Sequence, residues 1–101
     1  MTKTIIRQQA LAAAVQASGF LTNWMKEPDL ATIDLVEPTF ETLAEYVEAL
    51  PPTVADAGTM CYLRNQMSSS HQLFNAGEWG AAGHQLGQVH RKLDRTLADE
   101  S

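Results

Sequence analysis

The stretch NAGEWGAAGHQLGQVH, residues 75–90, decides how this chain folds. Asn75 and Gly77 end one helical pattern, because these residue types tolerate the left-handed conformation with which helices commonly terminate. Trp79, Ala82, Leu86 and Val89 begin another pattern at steps of three and four residues. So short a connection forces the two flanking helices to fold back antiparallel. Gly80, Gly83 and Gly87 stand inside the second of them, where each costs roughly 1 kcal/mol relative to alanine. That cost is offset where a bare backbone lets another helix approach closely. All three glycines are therefore expected at close helix–helix contacts.

Working outward, the fourth helix should span residues 78–97, with Leu93 and Leu97 completing its apolar stripe. The third should span 53–75, with Met60, Leu63, Met67, Ser70 and Phe74 on one face. Thr53 followed by Asp56 resembles a capping box and marks its start. Pro51-Pro52 closes a second helix expected over 38–50, striped by Phe40, Leu43, Val47 and Leu50. Proline is tolerated in a first turn, which places Pro38 at the start of that helix. The segment PDLATIDLVEP, residues 28–38, lies between two prolines and reads as an ordered connector. Residues 3–26 contain no proline and carry Ile6, Ala10, Ala13, Ala17, Leu21 and Trp24 at helical spacing. Lys26 and Pro28 mark the end of this helix. No apolar–polar alternation of strand type occurs. The chain reads as all-α, one domain over 1–101. It should form a small four-helix bundle with a long N-terminal helix, a short second helix and a C-terminal antiparallel helical hairpin.

The 101 residues carry 12 acidic and 7 basic side chains, a net charge of −5. The imbalance is local, because Glu27, Asp29, Asp34, Glu37, Glu41, Glu45, Glu48 and Asp56 follow one another with no Lys or Arg among them. Phosphates would be repelled by this segment, which argues against direct nucleic-acid binding. Glu41, Glu45 and Glu48 line one side of the second helix and suit electrostatic docking of a basic protein partner. Cys61 is the single cysteine, which excludes an intramolecular disulfide and fits a cytoplasmic protein. No run approaches the roughly 20 apolar residues of a membrane span. The apolar stretch ALAAAV, residues 10–15, is too short for a secretory signal.

No catalytic, cofactor-binding or metal-binding set is expected. His84 and His90 diverge around a helix and cannot chelate together. His71 is expected across the hairpin from Ala82. Glu41, Glu45 and Glu48 lack the Glu-x-x-His partners of di-iron bundles. Cys61 is expected to be a packed core thiol, since free cysteine is among the most buried residue types. Ser68, Ser69, Ser70 and His71 have no nucleophile-elbow pattern around them.

The remaining signal is small-residue faces, one on helix four and one at Ala10, Ala14 and Ser18 of helix one. A long first helix beside a 12-residue second one would leave Ile6, Ala10, Leu11, Ala14, Val15, Ser18 and Phe20 available to another chain. A two-fold homodimer is the usual closed arrangement for such a seam. The segment AGEWGAA, residues 76–82, resembles the helix junction of tetratricopeptide-like hairpins, a likeness of packing only. In length, helical content, acidity and absence of a catalytic set, the chain resembles the small helical anti-activators of LuxR-type quorum-sensing regulators (the QslA- and TraM-like type). That resemblance implies a non-enzymatic regulator that binds a bacterial transcriptional activator and blocks its dimerisation or its binding to DNA. Other readings are a structural adaptor or chaperone-like subunit, and an acidic phage-type inhibitor of a nucleic-acid-binding protein.

Overall fold

The computed structural model describes residues 2–26 and 29–100, and the side chains of residues 9–26, 29 and 31–99. It contains four helices, α1 (Thr2–Lys26), α2 (Leu30–Glu48), α3 (Ala57–Asn75) and α4 (Trp79–Glu100), and no strand among the described residues. Each helix buries one seam at alternating steps of three and four. The seams are Leu11, Ala14, Ser18, Leu21 and Met25 on α1; Val36, Phe40, Leu43 and Val47 on α2; Leu63, Met67, Ser70 and Phe74 on α3; and Ala82, Leu86, Val89 and Leu93 on α4. This spacing averages 3.5 residues and keeps a seam aligned along a neighbouring helix for many turns. The molecule is accordingly long, 42 × 25 × 19 Å, and its long axis matches the roughly 37 Å of a helix the length of α1.

The hairpin is closed as its sequence requires. Gly77 takes a φ of +83°. Its N–H bonds the Phe74 carbonyl at 3.1 Å, and the Glu78 N–H bonds the Leu73 carbonyl at 2.9 Å. These two bonds form a Schellman motif, which satisfies carbonyls that the end of α3 leaves free.

The second helix begins eight residues earlier than expected, because the N-terminal signal lies at Asp29 and not at Pro38. The Asp29 carboxylate accepts the Thr32 N–H at 2.8 Å, and the Thr32 hydroxyl accepts the Asp29 N–H at 3.0 Å. This reciprocal box starts a helix that then runs through Pro38. Proline there cannot donate to the carbonyl of Asp34. Both residues are exposed, so water can take the missing bond. The third helix, by contrast, starts four residues later than expected. Its N-cap is Asp56, which accepts the Thr59 N–H at 2.8 Å, and not Thr53. Residues 51–55 instead form a turn in which the Val54 and Ala55 N–H groups both bond the Pro51 carbonyl.

The helices alternate in direction. α1 packs along α2 and α4, and α3 packs along α4. The remaining edge, between α2 and α3, is barely closed. The reason lies in the connections. Three residues join α3 to α4, whereas eight join α2 to α3, and that longer loop buries Leu50 and Ala55 between the helix ends.

Candidate functional site

The loose edge of the bundle is a cleft of about 370 Å³ between α2 and α3. Phe40, Ala44 and Val47 line it from α2 at steps of four and three, and Met67 lines it from α3. Polar side-chain pairs bridge the two helices at both ends of this apolar lining. At one end the Arg64 guanidinium donates two bonds to the Glu48 carboxylate, Nε to Oε1 at 2.6 Å and Nη2 to Oε2 at 2.8 Å. At the other end His71 Nε2 contacts Glu37 Oε1. The imidazole also lies 4.9 Å from the Phe40 ring, centroid to centroid. Arg64 holds the Glu48 carboxyl below the usual carboxylate range, chiefly through the hydrogen bonds, and Glu48 raises Arg64 in turn. Glu41 also lines the cleft, with no ion-pair partner among the described residues. Three carboxylates therefore rim the cleft against one guanidinium and one imidazole.

Of the docking stripe expected from the sequence, Glu41 and Glu48 reach this cleft. Glu45 does not line it and stays exposed on α2. The floor and the two bridging partners on α3 escaped the sequence reading, since nothing in a single chain pairs Glu37 with His71, 34 residues on. His71 faces α2, not Ala82 as expected. The group that reaches Ala82 is its neighbour Ser70, whose hydroxyl donates to the Ala82 carbonyl at 2.7 Å.

The expected self-association face on α1 requires correction. Leu11, Ala14 and Ser18 are buried within the single chain, Ala14 and Ser18 at 0% exposure, so they form no seam open to another molecule. The premise was a 12-residue neighbour, whereas α2 has 19 residues, and α4 also packs along α1 with its His90 against Ser18. Ala10 and Val15 are half-buried against the same core. Only Phe20, 51% exposed, is open as expected. The side chain of Ile6 lies outside the described residues.

The glycines of α4 divide into three cases. A Cβ on Gly83 would lie 3.1 Å from Met25 Cβ, so this glycine does serve close packing of α4 on α1. A Cβ on Gly87 would meet only Thr22 Cγ2 at 3.9 Å, an ordinary contact. A Cβ on Gly80 would meet nothing within 4 Å. Close packing was therefore expected correctly at Gly83 and wrongly at Gly80 and Gly87. A tight approach that the sequence reading missed is Gly19, where a Cβ would lie 3.3 Å from His90 Cε1.

That imidazole is bound into the α1–α4 seam. The Ser18 hydroxyl donates to the Val15 carbonyl at 2.9 Å, and His90 Nδ1 lies 3.0 Å from Ser18 Oγ and 3.2 Å from the Val15 carbonyl. With the hydroxyl proton already committed, Nδ1 carries the hydrogen and donates to these oxygens. The serine is sealed from solvent and its proton points away from the ring, so the pair ties two helices together and is not an activated nucleophile. Cys61 is exposed, contrary to the expected core thiol, and accepts a long contact from Asn65 Nδ2 at 3.6 Å. Lys92 lies beside Asp56 and Tyr62 at the start of α3. No three His, Cys, Asp or Glu side chains converge on a metal-sized point among the described residues. No helix among them is long and apolar enough to cross a membrane. Comparison with known protein families, curated proteins and solved structures finds no match to this chain.

Proposed function

We propose that this protein is a non-enzymatic binding regulator, and that the α2–α3 cleft takes one basic amphipathic helix of a partner protein. The observation that carries the reading is an apolar floor left open between two helices and rimmed mainly by carboxylates. A helix laid in such a groove buries apolar side chains at i, i+3, i+4 and i+7, the same steps at which Phe40, Ala44 and Val47 are spaced. Lysines or arginines flanking that apolar face would meet Glu37, Glu41 and Glu48. The two bridging pairs are half-exposed and exchangeable. A partner cation can therefore replace Arg64 at Glu48 or His71 at Glu37 without leaving a carboxylate unpaired. Glu45 and the rest of the acidic face of α2 steer the approach.

Regulation follows from sequestration, since a captured helix is unavailable to its own assembly. A bacterial transcriptional activator, captured so that its dimerisation or DNA binding is blocked, is the partner class that the anti-activator format implies. The phosphate-mimic alternative is weaker, because the carboxylates flank an apolar floor of Phe40, Ala44, Val47 and Met67, which a mimic of phosphates does not require. We also place the expected homodimer seam elsewhere than on the small-residue ladder of α1. Phe20 stacks on Trp24 with centroids 5.8 Å apart, and this pair lines a groove with Thr39, Thr42 and Tyr46. Among the described residues the groove has no charged side chain in its lining. Two copies of an acidic chain can meet there without like charges in contact.

A synthetic helical peptide with leucines on one face and lysines beside them tests the cleft. It should bind saturably and shift the resonances of Phe40, Val47 and Met67, with an on-rate that falls as salt rises. Reversing charge at Glu41, Glu45 and Glu48 together should slow that association. Binding that ignores the triple reversal, or no binding at all, removes the basis for this reading. The dimer seam is tested by sedimentation of Phe20→Lys. A mass equal to the parent's at the same concentration places the seam elsewhere.

A further inference from the structure

We propose that the groove between α1 and α4 binds a small organic anion, an apolar body carrying one carboxylate or phosphate head. The groove holds about 450 Å³, within the range of roughly 300–1,000 Å³ typical of small-molecule sites. It belongs to a different pair of helices from the acidic cleft, and its electrostatics are the reverse. Every described ionisable side chain in its lining is a cation or an imidazole: Lys26 at the end of α1, and His84, His90 and Arg91 on α4. Among the described residues no carboxylate lines it, in a chain whose net charge is −5. Neither Lys26 nor Arg91 has an ion-pair partner among the described residues.

One imidazole of this set is held in place beforehand. His90 is fixed through Nδ1 to Ser18 Oγ and the Val15 carbonyl, in the space that the missing side chain of Gly19 provides. With its hydrogen on Nδ1, the fixed ring serves as a rigid wall of the groove, and the donors to an anionic head are Lys26 and Arg91. The floor of the groove points the same way. Gly83 is required by Met25, but Gly87 lies in mid-helix, where glycine is disfavoured and packing asks for none. Gly80 faces open space. A side chain at either position would project into the groove and fill it. Left bare, the backbone offers a flat surface for an apolar body beside the Thr22 methyl, while the Arg91 guanidinium can grip two oxygens of the head at once.

The test is a titration of the 101-residue chain, followed by the backbone amide resonances of α4, with phenyl phosphate, benzoate, inorganic phosphate and neutral phenol. Phenyl phosphate or benzoate should bind saturably, shift Gly80, Gly83 and Gly87, and outcompete both inorganic phosphate and phenol. The tighter of the two heads identifies the chemistry. Arg91→Gln and Lys26→Gln, both at exposed positions, should each weaken binding roughly tenfold or more, since each removes a charge-assisted hydrogen bond. Gly80→Leu should abolish it while the far-UV circular dichroism stays that of the parent. The proposal is overturned if neither aryl anion binds, or if phenol or inorganic phosphate binds as tightly. It is equally overturned if the glutamine variants bind like the parent, or if only a glutamate-rich helical peptide shifts these glycines, which would make the groove a seam between proteins.

Discussion

Two substitutions on one helix, Gly83→Ala and Gly87→Ala, isolate the energetic role of close packing between α1 and α4. Both lie inside α4, four residues apart, so each gains about the same helix propensity, roughly 1 kcal/mol. They differ in what the new methyl meets. At Gly87 it would rest 3.9 Å from Thr22 Cγ2, a favourable van der Waals distance. At Gly83 it would stand 3.1 Å from Met25 Cβ, with Met25 backbone carbon and the Thr22 carbonyl oxygen both at 3.9 Å. A Cβ cannot swing away as a side-chain tip can, so α1 must shift by several tenths of an ångström. That shift would disturb Leu21 and Met25, both essentially buried. Overpacking of this kind typically costs about 1–3 kcal/mol. Propensity cancels between the two variants, so the same range, about 1–3 kcal/mol, is the expected gap in their unfolding free energies. Gly87→Ala should raise the melting temperature by about 4–8 °C, and Gly83→Ala should leave it unchanged or lower it. Urea unfolding followed by far-UV circular dichroism measures both. Equal stabilisation by the two alanines would show that α4 does not rest on α1 at Gly83, and the account of the seam would fail.

Ala14→Glu should unfold the protein and not merely alter its association, because a carboxylate placed at a position with no exposure has no partner. A loss of more than about 3 kcal/mol is expected, and a folded variant with the parent's melting temperature would contradict the buried placement of this residue. Ser70→Ala should cost about 0.5–1.5 kcal/mol by removing the α3–α4 bond to the Ala82 carbonyl, read as a lower urea midpoint with unchanged slope. Acid should destabilise the fold through its caps. The Thr32 and Thr59 backbone N–H groups hold the Asp29 and Asp56 carboxyls below their usual range, and Arg64 does the same for Glu48. Each depressed group contributes stability that is complete above the ordinary carboxylate range, near about pH 4, and is lost as the pH falls through its lower folded value. Asp29→Asn with Asp56→Asn keeps both caps and removes their titration. The urea midpoint of that double variant should therefore fall less than the parent's between neutral pH and acid, and an equal fall would refute the assignment.

The cleft and the α1 seam show why some of this was legible and some was not. The stripe of the second helix was read correctly at Phe40, Leu43 and Val47, with Leu50 buried in the loop beyond it, because the opposite side of that helix is acidic and leaves one choice of inward face. On α1 the apolar residues encircle most of the helix, so two faces a single residue apart competed. The expected face ran through Ile6, Ala10, Ala13, Ala17, Leu21 and Trp24, of which Ala17 and Leu21 are buried, whereas Leu11, Ala14, Ser18 and Met25 complete the buried side. A serine in that seam counts against it in any hydropathy reading. Its burial is tolerated because the hydroxyl is bonded both to its own helix and to His90, a residue 72 positions away. Pro38 misled in a similar way, since proline is most familiar in a first turn, and the capping box at Asp29 and Thr32 was the stronger signal.

The pattern of residues along the chain determined that there would be four helices, that Gly77 would turn the last two back on each other, and that negative charge would gather on α2. These are local matters: helical periodicity, a left-handed glycine and a run of carboxylates each act within a few residues of themselves. Only tertiary structure decided that α2 and α3 stand apart around an apolar floor, that Glu37 and Glu48 find partners on α3, and that Lys26, His84, His90 and Arg91 ring one groove. Those outcomes depend on how far a loop props two helices apart and how closely a glycine lets two others meet. Such distances are set by the packing of the whole bundle and are not written in any one of its helices.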